Sequence, residues 1–133
     1  MSVLTALAQS PHQAVLVLSC DLPFMHQGIL ARLIDTRRNA KPDALMTTFS
    51  QAETGYIEAL TAIYEKEALP FFEQALAARL RQINLVIPPE QRTDAPYTRR
   101  EALPFFNVNY PVDLAIARQL IAALNPNKSL NMP

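Results

Sequence analysis

The chain has 133 residues, half of them hydrophobic, with 12 basic and 12 acidic residues and a formal net charge of zero. This composition supplies one buried core, excludes two full-sized domains, and gives no electrostatic case for binding nucleic acid or an anionic membrane. The single cysteine, Cys20, excludes a disulfide framework, and no apolar run approaches the ~20 residues that span a bilayer. The first residues lack the basic leading region of a secretory signal, so a reducing, cytoplasmic setting is expected. Eleven prolines accompany only two glycines, Gly28 and Gly55, too far apart to build a phosphate-cradling loop.

Residues 3–10 read as a short helix with Val3, Leu4 and Leu7 on one side, ended by Pro11. Residues 13–19 read as a buried strand, an apolar run that stops at Cys20-Asp21-Leu22-Pro23. Asp21 then has two readings. It stands beyond the carboxyl end of a strand, where an acid can hold a metal ion, or it caps the next helix. Cys20, directly after the strand, is expected to be a core thiol. Residues 26–38 form a helix with Ile29, Leu30, Leu33 and Ile34 on one face and His26 in an exposed first turn. A turn over 39–43 leads to a strand over 44–49, and a polar connection over 50–55 leads to a strand over 56–64. Within the latter, Glu58 reads either as a solvent-facing acid or as a functional one.

Residues 67–80 read as a helix with Leu69, Phe72, Leu76 and Leu80 in one stripe and Pro70 in its first turn. A strand is expected over 83–87, a polar loop over 90–101, and a short strand over 105–108. The pairs Arg37-Arg38 and Arg99-Arg100 read as solvated surface. The last helix, residues 111–124, is expected to bury Leu114, Ala117, Ile121 and Leu124. The alternation of strands and helices implies an α/β fold in one domain over residues 1–124, with a flexible tail over 125–133.

The segment from Phe106 to Asp113 carries a further pattern. Asn107 and Asn109 flank Val108 and point the same way if the backbone is extended. Asn109 as a helix cap and Asp113 as a partner of the helix dipole account for those two residues and leave Asn107 unexplained. Two amides on one edge can bind a phosphate, a ribose or a heterocycle. His12 and His26 have no partner at metal-ligand spacing, and no serine stands in a nucleophile elbow.

Together these residues bear a resemblance. Leu18-Ser19-Cys20-Asp21-Leu22-Pro23-Phe24 resembles the central metal-binding motif of the molybdenum cofactor guanylyltransferase (molybdopterin-guanine dinucleotide biosynthesis protein A) family. Phe106-Asn107-Val108-Asn109-Tyr110-Pro111-Val112-Asp113-Leu114 resembles its C-terminal motif, with Tyr110 where threonine is usual. Glu58 to Tyr64, followed by Leu69-Pro70, resembles the segment between them, with Ala59 in place of a proline. Order and spacing agree across most of the chain.

The resemblance implies a partial doubly wound, Rossmann-like nucleotidyltransferase sheet with helices on both faces. It implies transfer of GMP from GTP to molybdopterin with release of pyrophosphate. Asp21 is then the Mg²⁺ ligand, and Asn107, Asn109 and Glu58 bind substrate. The family's opening strand, glycine-rich loop and lysine are not matched by any segment here, so impaired activity is expected of this chain by itself. The sheet edge left open is expected to pair with a second copy or a partner protein. The alternatives are a non-catalytic module that binds molybdopterin or a partner, and a related transferase using CTP or a sugar phosphate.

Overall fold

The computed structural model describes residues 2–124; the expected tail over 125–133 lies outside the described residues. Eight main elements follow one another: α1 (Ser2–Gln9), β1 (Ala14–Leu18), α2 (Gln27–Arg38), β2 (Met46–Gln51), β3 (Ile57–Glu65), α3 (Leu69–Ala77), β4 (Arg92–Tyr97) and α4 (Pro111–Leu124). The strands form one sheet in the order β1-β3-β2-β4. β2 and β3 form an antiparallel hairpin, β1 lies antiparallel to β3, and β4 runs parallel to β2. Gly55, at φ 75°, makes the hairpin's tight turn, a conformation that other residues adopt at a cost.

Apolar helix faces cover both sides of this mixed sheet, as the α/β reading requires. On one side Val3 and Leu7 of α1 and Phe72 of α3 pack on Met46, Ala62 and Tyr64. On the other, Leu33 of α2 packs with Phe49, Ile63, Ala95, Tyr97 and Phe105. Tyr64 and Phe72 meet edge to face, ring centroids 5.2 Å apart. The Lys66 ammonium donates to the carbonyl oxygens of Leu7 and Ser10, which ties the C-terminal end of α1 to the start of α3. Arg37 and Glu65 form a two-pronged ion pair, both bonds 2.8 Å, between α2 and the end of β3.

Several expectations give way. β1 is an edge strand rather than a buried one: among the described residues nothing pairs with its outer side, and Leu16 and Leu18 are 41% and 42% exposed. Val15 and Val17 pack under the α1 side, but α2 sits over β2, β3 and β4, which leaves the other face of β1 largely bare. Cys20 is accordingly exposed and is not a core thiol.

Residues 83–87 form no strand. A 3-10 turn over Ile83–Leu85 puts Ile83, Val86 and the buried Ile87 against one core, a spacing of three and four that a strand would split between two faces. The expected loop over 90–101 contains β4, which occupies the free edge of β2. Pro96 is compatible because its missing N–H costs little on an edge strand. With that edge taken, residues 105–108 form no strand either: a 3-10 turn over Leu103–Phe105 leads into irregular backbone.

α3 ends earlier than expected, at Ala77, where Arg79 adopts φ 58° and the Leu80 amide bonds back to the Ala75 carbonyl. Leu76, in the last turn of α3, and Leu80, beyond it, are exposed rather than part of a buried stripe. In α4 only Ala117 is fully buried, and Leu114 and Leu124 face outward with Val112 and Ile116.

Replacing the ammonium in Lys66→Met leaves the two carbonyls without their shared donor. The expected loss is about 1–2 kcal/mol of unfolding free energy, checked by urea titration of both proteins.

Candidate functional site

The geometry of the site follows from an irregularity in the β2–β3 hairpin. Thr48 pairs with Ala62, and the next pair is Ser50 with Ile57, so β2 advances two residues while β3 advances five. The excess on β3 is odd, and an odd excess reverses which residues face which side of a sheet. Ala59 and Ile57 therefore join Ala62 and Tyr64 in the α1–α3 core, and Glu58 turns to the opposite side. The Thr48 hydroxyl holds this loop of extra residues by donating to the Glu58 carbonyl, 2.8 Å, and to the Thr61 carbonyl, 3.3 Å.

On that opposite side Glu58 meets Tyr97, the last residue of β4, whose hydroxyl donates to Glu58 Oε1 at 2.5 Å. Tyr97 is fixed by Phe105, 4.5 Å between ring centroids, and Phe105 by Phe49 at 5.1 Å. Burial pushes the Glu58 carboxyl above the usual carboxylate range, and the Tyr97 hydrogen bond draws it part of the way back. Burial, with the Glu58 carboxylate beside it, holds the Tyr97 hydroxyl protonated well beyond the ordinary phenol range.

Two cavities share Glu58 and Asn107 as a common wall. The first, about 180 Å³, runs from Ser19 and Leu22 across Ala59–Thr61 to Asn84. The second, about 500 Å³ and wide open, is lined by Tyr97, Arg99, Arg100, Phe105 and Phe106. Asn107 reaches this position because the Val108 amide bonds to the Asp21 carbonyl at 2.9 Å, which fastens the loop after Phe105 to the loop after β1. Phe24 and Phe106 pack across the same junction, 6.2 Å apart.

Of the residues singled out from sequence, the fold thus gathers three. Glu58 and Asn107 line both cavities, and Asp21 stands beside the first, its Oδ1 accepting a short hydrogen bond from the Ser19 hydroxyl. Asn109 is exposed and lines neither. The helix start is held instead by Asp113, whose Oδ2 accepts from the amides of Asn109 and Tyr110 at 3.1 and 3.0 Å. Asp21 does not cap α2; His26 does, its Nδ1 accepting from the Gly28 amide.

Tyr97 and the pair Arg99-Arg100 were not marked as site residues by sequence. Both arginines are exposed, as expected of solvated surface, and they border the open second cavity from a 3-10 turn closed by a reciprocal Thr98–Glu101 cap. The alternation of Ala95 and Tyr97 around Pro96 is the signal that marks β4, and with it Tyr97. Among the described residues no cluster of three His, Cys, Asp or Glu side chains could hold a metal ion. One carboxylate with a neighbouring hydroxyl suits a hard cation that takes its other ligands from phosphates and water. No described helix is long and apolar enough to cross a membrane.

Comparison with known proteins bears on the family and the fold. Residues 1–102 match the MobA-like NTP transferase domain. The molybdenum cofactor biosynthesis bifunctional protein of Synechocystis sp. is 30% identical over 114 residues, which are 84% of this chain and 30% of that protein. The crystal structure of molybdopterin-guanine dinucleotide biosynthesis protein A from Archaeoglobus fulgidus superposes with a TM-score of 0.62 at 26% identity, covering 83% of this chain and 56% of that one. A protein from Aquifex aeolicus VF5 shares the fold, with a TM-score of 0.65 at 19% identity over 81% of this chain and 54% of that one. The chain therefore spans under a third of the curated relative and just over half of the solved structures.

The raised Glu58 carboxyl gives a pH signature. Well above neutrality it is ionised in both folded and unfolded chains, and its burial opposes folding. Below the unfolded value, about 4.3, it is protonated in both states and the opposition is gone. Glu58→Gln keeps the Tyr97 hydrogen bond without the charge. Its melting temperature is expected above that of the parent at pH 7.5, with the difference shrinking steadily towards pH 4 in thermal unfolding.

Proposed function

The chain belongs to the MobA-like NTP transferase family, and on that premise we propose that it serves molybdenum cofactor biosynthesis by transfer of GMP from GTP to molybdopterin. The observation that supports this reading is the convergence of Asp21, Glu58 and Asn107, from three separate segments, on the wall and rim of adjoining cavities. The names of the relatives point to the same pathway. The chain spans only part of those relatives, and the activity is accordingly a proposal.

In the reaction, an oxygen of the molybdopterin phosphate attacks the α-phosphorus of GTP. The new P–O bond forms as the bond to the bridging oxygen breaks, and pyrophosphate leaves with the electron pair. Such transfer depends on positioning and charge stabilisation rather than on a covalent enzyme intermediate. Asp21 would hold Mg²⁺, with the Ser19 hydroxyl fixing the carboxylate's orientation. Bound there, the ion would neutralise phosphate charge. Asn107 would donate its amide to substrate between the two cavities, and Glu58 would accept from it. Asn109 has the weakest claim of the four, since it lines neither cavity. A cytoplasmic setting suits these substrates.

The interaction-module reading draws on a different observation. The outer edge of β1 offers unpaired backbone groups, with Leu16 and Leu18 exposed beside them. We propose that a second copy or a partner protein pairs along it. Sedimentation velocity is expected to show association of this chain that Leu16→Lys/Leu18→Lys abolishes; a parent chain that is monomeric at every concentration removes this reading.

The transferase reading is tested by Mg²⁺-dependent transfer from GTP to molybdopterin by this chain, with CTP in parallel. Asp21→Ala is expected to lower the rate by at least ~100-fold, a loss comparable to removal of a principal electrostatic group. An unchanged rate would refute the role of Asp21, and faster transfer from CTP would reassign the nucleotide.

A further inference from the structure

The C-terminal end of β4 is an unpromising place from which to hold a site residue. β4 is an edge strand paired only with β2, and their ladder ends at the pair of Gln51 with Tyr97. Pro96, one residue before that end, has no N–H to contribute. Strand ends paired on one side only are the first to fray. The Tyr97 hydroxyl nevertheless meets Glu58 at 2.5 Å, a contact that a small shift of the strand end would break.

One side chain of α2 reaches three supports of Tyr97. Arg32 donates from Nη2 to the Pro96 carbonyl at 2.6 Å, on the backbone directly before the tyrosine. Its Nη1 lies 3.8 Å from Oε2 of Glu101. Oε1 of the same carboxylate accepts from the amide and the hydroxyl of Thr98, directly after the tyrosine. The guanidinium carbon also sits 5.6 Å from the centroid of the Phe49 ring, the far member of the column that runs through Phe105 to Tyr97.

Stability alone is a poor account of this arrangement, because the Arg32–Glu101 pair is half-exposed and such pairs add little. Placement is a better one. A planar guanidinium fixes the angles between its donors, so contacts before, after and beneath Tyr97 are held in one relation. With the tyrosine so held, its hydroxyl occupies Glu58 Oε1 and stops rotation of the carboxylate. Arg32 itself lines neither of the two cavities that Glu58 walls.

We propose that Arg32 is a positioning residue for the candidate site: by clamping Pro96, Glu101 and Phe49 around Tyr97, it keeps the tyrosine hydroxyl on Glu58 and so sets how the Glu58 carboxylate faces the cavities. That Glu58 then meets substrate rests on the transferase reading. The clamp does not, and its test needs no GTP, Mg²⁺ or molybdopterin.

The test follows the Glu58 carboxyl by carbon-13 NMR through a pH titration of this chain. The Tyr97 hydrogen bond draws the Glu58 midpoint down, so Tyr97→Phe is expected to raise it. Tyr56, which also stands beside Glu58, stays protonated over that range. Arg32→Met keeps the aliphatic stem and removes the donors. It is expected to raise the Glu58 midpoint too, by no more than Tyr97→Phe does. In the Tyr97→Phe background it is expected to add nothing, because the contact it supports is already gone, whereas a direct effect of the lost charge would persist there.

Arg37→Met is the control. Arg37 lies on the same helix and pairs with Glu65 at the other end of the sheet. Its loss is expected to lower the melting temperature and leave the Glu58 midpoint in place. The proposal is overturned if Arg32→Met lowers the melting temperature without moving Glu58. It is equally overturned if the shift persists undiminished in the Tyr97→Phe background, or if Arg37→Met reproduces it. The expected titrations in a chain that shows no transfer activity would support the clamp and count against the transferase reading alone.

Discussion

The extra residues in β3 are the constraint from which the site follows. A regular hairpin would keep strict alternation, and Glu58 would lie on the same side as Ala62 and Tyr64, against α1 and α3. An unpaired carboxylate there would face an apolar core, a position that folding does not tolerate without a partner. The odd excess turns it to the side where Tyr97 waits. It also takes Leu60 out of its pairing with β2, while its carbonyl continues the β1 side by accepting from the Ser19 amide and its side chain lines the first cavity. One local departure from alternation thus fixes Glu58, shapes the cavity floor and anchors the start of the loop that carries Asp21.

Around that irregularity the supports are of two kinds. Apolar packing fixes the aromatic column of Phe49, Phe105 and Tyr97, which delivers the tyrosine hydroxyl to a set position. Backbone hydrogen bonding fixes the loops, most directly where the Val108 amide meets the Asp21 carbonyl. Rigid packing under a polar surface suits a reaction that depends on placement rather than on a reactive side chain. The cost is a carboxyl held above its usual range, the kind of local disfavour that functional sites commonly retain.

The sequence made much of this legible, and the parts it hid share a cause. The first two helices follow from helical periodicity, and the hairpin strands from continuous runs that the sheet buries on both faces, Met46 to Phe49 and Thr61 to Tyr64. Asp21, Glu58 and Asn107 stand out because each polar residue interrupts an apolar context. β4 escaped because Pro96 reads as a breaker, although an edge strand accepts a proline whose missing N–H has no ladder partner to lose. With β4 went Tyr97, and with Tyr97 the reason that Arg99 and Arg100 line a cavity. Residues 83–87 misled in the opposite direction, since a run of branched apolar residues suits a strand and a tight turn equally when its ends are short. The parity reversal at Glu58 depends on pairing between strands, which no pattern along one strand reveals.

The open flank of β1 bears on the site in a way that concerns entropy more than contact. Ser19 and Asp21 begin where the β1 ladder ends, so the freedom of that strand is passed directly to the loop that holds the acid. A strand paired on one side only frays more readily than one paired on both. Any chain that settles along the outer side of β1 would therefore spend conformational freedom in advance, leaving less for the Asp21 loop to lose when a ligand arrives. Coverage of the sheet edge and occupancy of the cavities would then favour each other without any residue being shared between them.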